Sequence, residues 1–478
     1  MTSLHDPPQP GVSASDAATA YLDKRTLKKG AAGWLLLAGL GVSYVISGDY
    51  AGWNGGLGEG GFGGLAIAFV VVAGMYLAMV LGMAEMSSAL PAAGGGYTFA
   101  RRALGPWGGF ATGTAILIEY TIAPAAIATF IGAYVESLGL FGITDGWPVY
   151  LAVYVVFIAV HLSGAGEALT MMGAITVVAL VGLVVFAVAA VGLFDPANLI
   201  DLPVDTSAAG ASVWLPNGWL GVWAALPFGI WFFLAIEGVP LAAEEATDPE
   251  RDVPRGIIVA MLVLVVTGAT VLVLATGAHG AAALAGSGNP LVEALGTGPA
   301  ATVVNYIGLA GLVASFFSIM YAYSRQTFAL SRAGYLPTSL SVVNARRTPT
   351  LALVVPGLIV FGLSLTGQGA MLLNMAVFGA AVSYVLMMIS HITLRVREPG
   401  MRRPYRTPGG VVTTSVALAV AVVAVIGTFL VDPVAAGWTL AVFVAFMVYF
   451  GIYSRHRLVA ASPDEEFAML DRAEADLS

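Results

Sequence analysis

No cysteine occurs among the 478 residues, which excludes disulfides and thiolate metal sites. Histidine is scarce, and His5, His161, His279, His391 and His456 lack the close spacing that metal ligation needs. Charge is scarce as well, at 10% of residues against 58% hydrophobic, a balance that marks a polytopic membrane protein rather than a soluble one. A net charge of −8 speaks against nucleic acid as a partner. The first thirty residues are polar, with Lys24, Arg25, Lys28 and Lys29 just ahead of the first apolar run. That is the pattern of a cytosolic tail, not of a signal peptide. The expected fold class is an all-α polytopic membrane protein whose large partner is the lipid bilayer. Composition sets no oligomeric state.

Apolar runs of roughly 20 residues place spans near 31–58 (broken), 62–90, 106–138, 147–163, 167–194, 221–245 (broken), 255–278, 300–332, 350–366, 370–395, 411–431 and 434–454, twelve in all. All 20 Lys and Arg then fall on one side of the bilayer. They sit in the N-terminal tail, at Arg101 and Arg102, at Arg251 and Arg255, from Arg325 to Arg347, from Arg395 to Arg406, and from Arg455 onward. The opposite loops carry Asp145, Asp195, Asp201, Asp205, Glu293 and Asp432 instead. This bias puts both termini in the cytosol and the chain in the plasma (inner) membrane as a multi-pass protein. The organisation reads as a cytosolic tail (1–30), spans 1–5 (31–194), an extracellular loop (195–220), spans 6–10 (221–395), spans 11 and 12 (396–457) and a cytosolic C-terminal tail (458–478).

Two spans are interrupted. Span 1 reaches Ser47, Gly48, Asp49 and Tyr50, and span 6 reaches Glu237, Gly238 and Pro240. Lipid cannot satisfy free backbone groups, so a break within the membrane must face protein or a polar cavity, where it can hold a solute. The breaks stand five spans apart, the offset of a five-plus-five inverted repeat. Asp49, Glu119 and Glu237 are acids at membrane depth, and such residues generally line a cavity with a partner. No basic residue stands at that depth. Each acid is therefore protonated, bonded to backbone or hydroxyls, or matched by a cation that comes and goes. Tyr44, Tyr50, Trp53, Tyr120, Trp231, Phe232 and Phe233 accompany them; ordinary packing accounts for any single ring, whereas a wall of them can hold an ammonium.

Other features are less telling. Glu85, near the end of span 2, suits an interfacial or gating role. Gly94-Gly95-Gly96-Tyr97 lacks the Gly-Lys-Ser/Thr that a phosphate loop requires. The mixed-charge stretch from Glu244 to Arg251 is either a solvated loop or a cytosolic gate.

Four stretches carry a family resemblance. "AEMSSALPAAGGGYTFARRALG" (84–105), "FFLAIEGVPLAAEEATDPERDVPRGI" (232–257), "SRQTFALSRAGYLP" (324–337) and "RPYRTPGG" (403–410) resemble the signatures of the amino acid–polyamine–organocation transporters. "GVSYVISGDYAGWNGG" (41–56) is similar to the ethanolamine permeases among them. The resemblance implies a twelve-helix carrier with a site between helices 1, 3, 6 and 8. It also implies that Ser47, Gly48 and Asp49 match the unwound helix 1, and that Trp231 to Gly238 match the helix 6 break. In amino acid carriers of that family the helix 1 segment is small and neutral, and its amides take the substrate carboxylate. Asp49 departs from that pattern, because two carboxylates a few Å apart repel by several kcal/mol at intermediate dielectric.

The sequence thus reads as a secondary transporter of ethanolamine or a similar small organic amine, with an amino acid or polyamine carrier as the rival. Its expected substrate-binding residues are Ser47, Gly48, Asp49, Tyr50, Glu119, Tyr120, Trp231, Phe232, Glu237 and Gly238. No catalytic nucleophile or metal-ligand set accompanies the acids, so an intramembrane enzyme is disfavoured, and a channel or sensor is a further alternative. No cofactor is expected. The coupling ion is either H+, on Asp49, Glu119 or Glu237, or Na+, on Ser315 and Ser318 with carbonyls of helix 1; span 5 carries no lysine to replace sodium.

Overall fold

The computed structural model describes residue 27, residues 30–139, residue 142 and residues 145–459, with only the backbone of 165–168. Lys24, Arg25, Lys28, Lys29, Arg472 and nearly all of both expected tails lie outside the described residues. Those described form helices and no strand. In chain order the helices are α1 (Trp34–Val45), α2 (Ser47–Tyr50), α3 (Gly55–Ala89), α4 (Gly96–Ser137), α5 (Trp147–Ser163) and α6 (Ala165–Val191). After a long connection come α7 (Gly218–Ala224), α8 (Leu226–Trp231), α9 (Pro249–His279), α10 (Ala281–Leu284), α11 (Pro290–Leu295) and α12 (Pro299–Arg332). The chain closes with α13 (Thr350–Ser364), α14 (Gly369–Arg397), α15 (Val411–Val431) and α16 (Pro433–Ile452).

Nine helical stretches among the described residues are long and apolar enough to cross a membrane, and α5 and α13 are shorter apolar helices. Both expected breaks are present. The first follows α1 at Ile46; beyond α2, Ala51 is extended and Gly52 takes φ 91°, which glycine adopts without strain. In the second, Ala235 adopts φ 76° and a 3-10 helix, Ile236–Glu245, follows with Pro240 inside it. Proline offers that segment no amide donor and crowds the preceding turn, which disfavours a regular α-helix there. Inside α3 and α4 the chain kinks at Gly61 and Gly105.

α4 lies along α14, α3 along α9, and α12 along α4 and α6, while α1 is enclosed by α6, α9 and α12. The last helices are peripheral. α15 buries Ala417, Ala421 and Ala424 and exposes Val412, Val416, Ile426 and Leu430. Small residues at that spacing let one helix approach its neighbours closely, while the branched face suits lipid.

The bundle is closed at both ends. At the arginine-bearing end, the Ala31 and Ala32 amides donate to the Glu245 carbonyl at 2.7 and 3.2 Å. The Glu245 carboxylate takes Arg325 of α12 at 2.8 Å, with both side chains fully buried, and also accepts from the Tyr321 hydroxyl. Glu244 meets Arg332 at 2.6 Å and accepts the Ala93 amide at 3.0 Å. The Glu244–Arg251 stretch therefore divides: its first two acids are built into the bundle, and its later charges, such as Glu250 with Arg402, are far more exposed. Glu85 is also built in, held by Arg395, by Arg403 at 2.9 Å and by the Thr407 amide at 2.7 Å. Glu398, just past α14, is held below the usual carboxylate range by its hydrogen bonds from Arg102. The opposite end is closed by neutral groups. Asn54 donates to the Leu284 and Ser287 carbonyls at 2.7 and 2.9 Å, and Asn289 donates to Asn305 at 3.0 Å.

Candidate binding site at the paired helix breaks

The two breaks lie against each other. A side chain on Gly48 would meet the Trp231 carbonyl oxygen at 2.6 Å and the Phe232 α-carbon at 3.2 Å. The Trp231 indole N–H donates to the Ala51 carbonyl at 2.9 Å, tying α8 to the chain beyond α2. Ser47 turns the other way, its hydroxyl 2.8 Å from Ser315 of α12. Tyr50 reaches α6, donating to the Ala179 carbonyl at 2.6 Å, and its ring packs over Gly308 and Gly311.

The three acids separate into two centres. Glu119 of α4 and Glu237 of the second break come together, their carboxyls within hydrogen-bonding reach of one another. Tyr120 donates to Glu237 at 2.7 Å. Tyr384 of α14 donates to Glu119 at 3.4 Å and receives the hydroxyl of Tyr76 at 2.8 Å. The Ala235 amide also faces Glu119. Gly238 sits beside the Tyr120 hydroxyl and the Tyr44 ring, each 3.1 Å from where a β-carbon would stand, a tight fit for any side chain. One oxygen of each glutamate, and the Tyr44 hydroxyl, are buried without a hydrogen-bond partner among the described residues. Tyr76 and Tyr384 were not singled out by sequence; each is a single hydroxyl in an apolar helix, and only its depth within the span could have drawn attention.

Asp49 does not join that pair. It is fully buried and turned toward α9, where Thr267 faces its carboxyl while giving its own hydrogen bond to the Leu264 carbonyl at 3.3 Å. Neither Asp49 oxygen has a hydrogen-bond partner among the described residues. Phe232 lines the same region, its ring 5.6 Å from Trp53 and 5.1 Å from Phe69.

Ser315 and Ser318 sit where α12 meets the first break. Ser315 donates to the Tyr44 carbonyl at 2.6 Å, Ser318 donates to the Ala314 carbonyl at 2.8 Å, and Ser318 also bonds Ser43. These oxygens form a neutral set of the kind that coordinates a monovalent cation at broken helices. No cluster of three His, Asp or Glu suited to a metal occurs among the described residues.

Paired breaks, buried acids and a bundle closed at both ends are the parts of a carrier that holds its cargo between two faces of a membrane. The chain belongs to the amino acid permease family, whose model matches residues 33–453. It is similar to an uncharacterised transporter of Rhizobium meliloti, at 30% identity over 82% of this chain and 85% of the relative. A branched-chain amino acid permease of Bacillus subtilis is 28% identical over 72% and 77% of the two chains. The D-serine/D-alanine/glycine transporter of Escherichia coli is 26% identical over 65% and 69%.

Proposed function

We propose that this permease is a twelve-span secondary carrier with a five-plus-five inverted repeat and both termini in the cytosol, importing ethanolamine or a similar small amine across the plasma membrane by alternating access. Asp49 seats the substrate ammonium, and the Glu119–Glu237 pair carries a coupling proton. The observation that carries the amine reading is the Asp49 carboxylate, wholly buried in a helix break with both oxygens unpartnered among the described residues. A carboxylate so placed is costly unless a cation meets it. An amine without a carboxylate meets it with no opposing charge.

The paired glutamates support a proton rather than a second ammonium. Two carboxylates in mutual reach within an apolar interior cannot both stay charged, and one shared proton removes the repulsion. Tyr120 and Tyr384 hold the pair in place while that proton enters and leaves. The oxygens around Ser315 and Ser318 support sodium as the alternative coupling ion.

A second reading, a carrier of small neutral amino acids, is favoured by the names of the similar permeases of Bacillus subtilis and Escherichia coli. Uptake of labelled ethanolamine into proteoliposomes, with pH and sodium gradients imposed separately and with alanine and leucine as competitors, tests both readings. Ethanolamine uptake driven by an inward proton gradient, undisturbed by excess amino acid, is the expected result. Alanine uptake without ethanolamine uptake refutes the amine.

A further inference from the structure

Asp49 is not the only unsatisfied group in its region. Trp53 is also fully buried, and its indole N–H has no acceptor among the described residues. The contrast with Trp231, whose N–H is spent on the Ala51 carbonyl, is informative. Trp53 and Asp49 are both reached from one residue, Phe232. The Trp53 ring lies against the Phe232 ring, Gly48 beside Asp49 abuts the Phe232 α-carbon, and Phe232 packs with Phe69 over Gly268 of α9, next to the Thr267 that faces Asp49. The region thus holds a group that only accepts hydrogen bonds, a group that only donates one, and aromatic walls.

From this juxtaposition we infer that Trp53 is a specificity-determining residue whose indole N–H receives the hydroxyl oxygen of an amino alcohol while Asp49 holds its ammonium. The inference rests on the amine reading and narrows it. A plain alkylamine satisfies Asp49 and leaves the indole N–H buried and unpaired. An amino acid supplies an acceptor to Trp53 but brings a second carboxylate toward Asp49. An amino alcohol with its two functions on a short chain satisfies both groups without adding charge. A polar group left unpaired in a dry site is what lets a protein reject the analogue that lacks the matching hydroxyl.

Binding of ethanolamine and of n-propylamine, which has a methyl in place of the hydroxyl, is compared by titration of the purified full-length protein. The wild type is expected to prefer ethanolamine by about tenfold, the worth of one buried hydrogen bond. Trp53→Phe keeps an aromatic ring and removes the donor. It should abolish the preference by weakening ethanolamine while n-propylamine stays within about twofold. A wild-type ratio near one, or a ratio that survives Trp53→Phe, overturns the inference. Should Trp53→Phe not fold, the wild-type protein labelled with 15N at its nine indoles decides. One N–H resonance should move with ethanolamine and stay put with n-propylamine, and a set unchanged by both refutes the assignment. Asp49→Asn separates the two levels: it should weaken both amines alike, and if it weakens neither, the amine reading itself fails whatever Trp53 does.

Discussion

The carbonyl oxygen of Trp231 lies so close to Gly48 that a methyl group there would stand 2.6 Å from it. Glycine is what allows the two breaks to touch. Gly48→Ala must push α8 away from α2 or force a side chain against backbone, an overpacking of about 1–3 kcal/mol. Substrate affinity should fall at least tenfold, with a much smaller change in the yield of folded protein, as measured by titration and size-exclusion profile. Wild-type affinity in this variant would mean that the contact does not shape the site.

Glu119→Gln keeps the size of the side chain and an acceptor for Tyr384, but it cannot take up or release a proton. If the pair carries the coupling proton, proteoliposomes with the variant should exchange internal for external substrate yet fail to accumulate it against a gradient when the outside is acidified. Accumulation equal to the parent would remove Glu119 from coupling and turn attention to sodium at Ser315 and Ser318.

The Glu245–Arg325 pair, both partners fully buried, gives a stability prediction. Glu245→Gln leaves the guanidinium buried without its counter-charge, which in such pairs costs about 3–5 kcal/mol. The thermal unfolding midpoint in detergent should drop clearly. Glu245→Leu combined with Arg325→Met should recover most of the loss, since an apolar pair of similar volume often does as well as the ions. A double variant no better than the single would refute this account.

Orientation is tested with single cysteines in a chain that has none. Thr206 and Arg397 are exposed positions at opposite ends of the bundle, neither in the proposed site. An impermeant maleimide added to intact cells should label Thr206→Cys, and Arg397→Cys only after the membrane is opened. Labelling of both from outside would overturn the cytosolic assignment of the arginines.

Helix positions were legible because apolar runs end at charge, Gly or Pro. The spans read at 147–163, 350–366, 370–395 and 411–431 lie within a few residues of α5, α13, α14 and α15. Both breaks were legible for the same reason, marked by Ser47-Gly48 and by Gly238 with Pro240. Azimuth was not. Successive residues of a helix point about 100° apart, so Asp49 faces α9 although Gly48 beside it touches Trp231. Spacing alone cannot say which acids meet: Glu119 and Glu237 come together, while Asp49 lies by Thr267 of α9. Arg325 illustrates a second limit. The sequence places it at the inner end of the 300–332 span, and α12 does end at Arg332; what the sequence does not show is that Arg325 is buried there against Glu245.

Asp49 also bears on how such a carrier idles. In the closed form its carboxyl group is buried, with Thr267 facing it. A transporter that closed without cargo would have to trap a bare carboxylate in a dry interior, at a cost of several kcal/mol, or protonate it first. If the cargo's ammonium sits at Asp49, as proposed, it removes the cost, and closure would be favoured when the site is filled and penalised when it is bare. On that proposal one side chain suffices to discourage futile cycling.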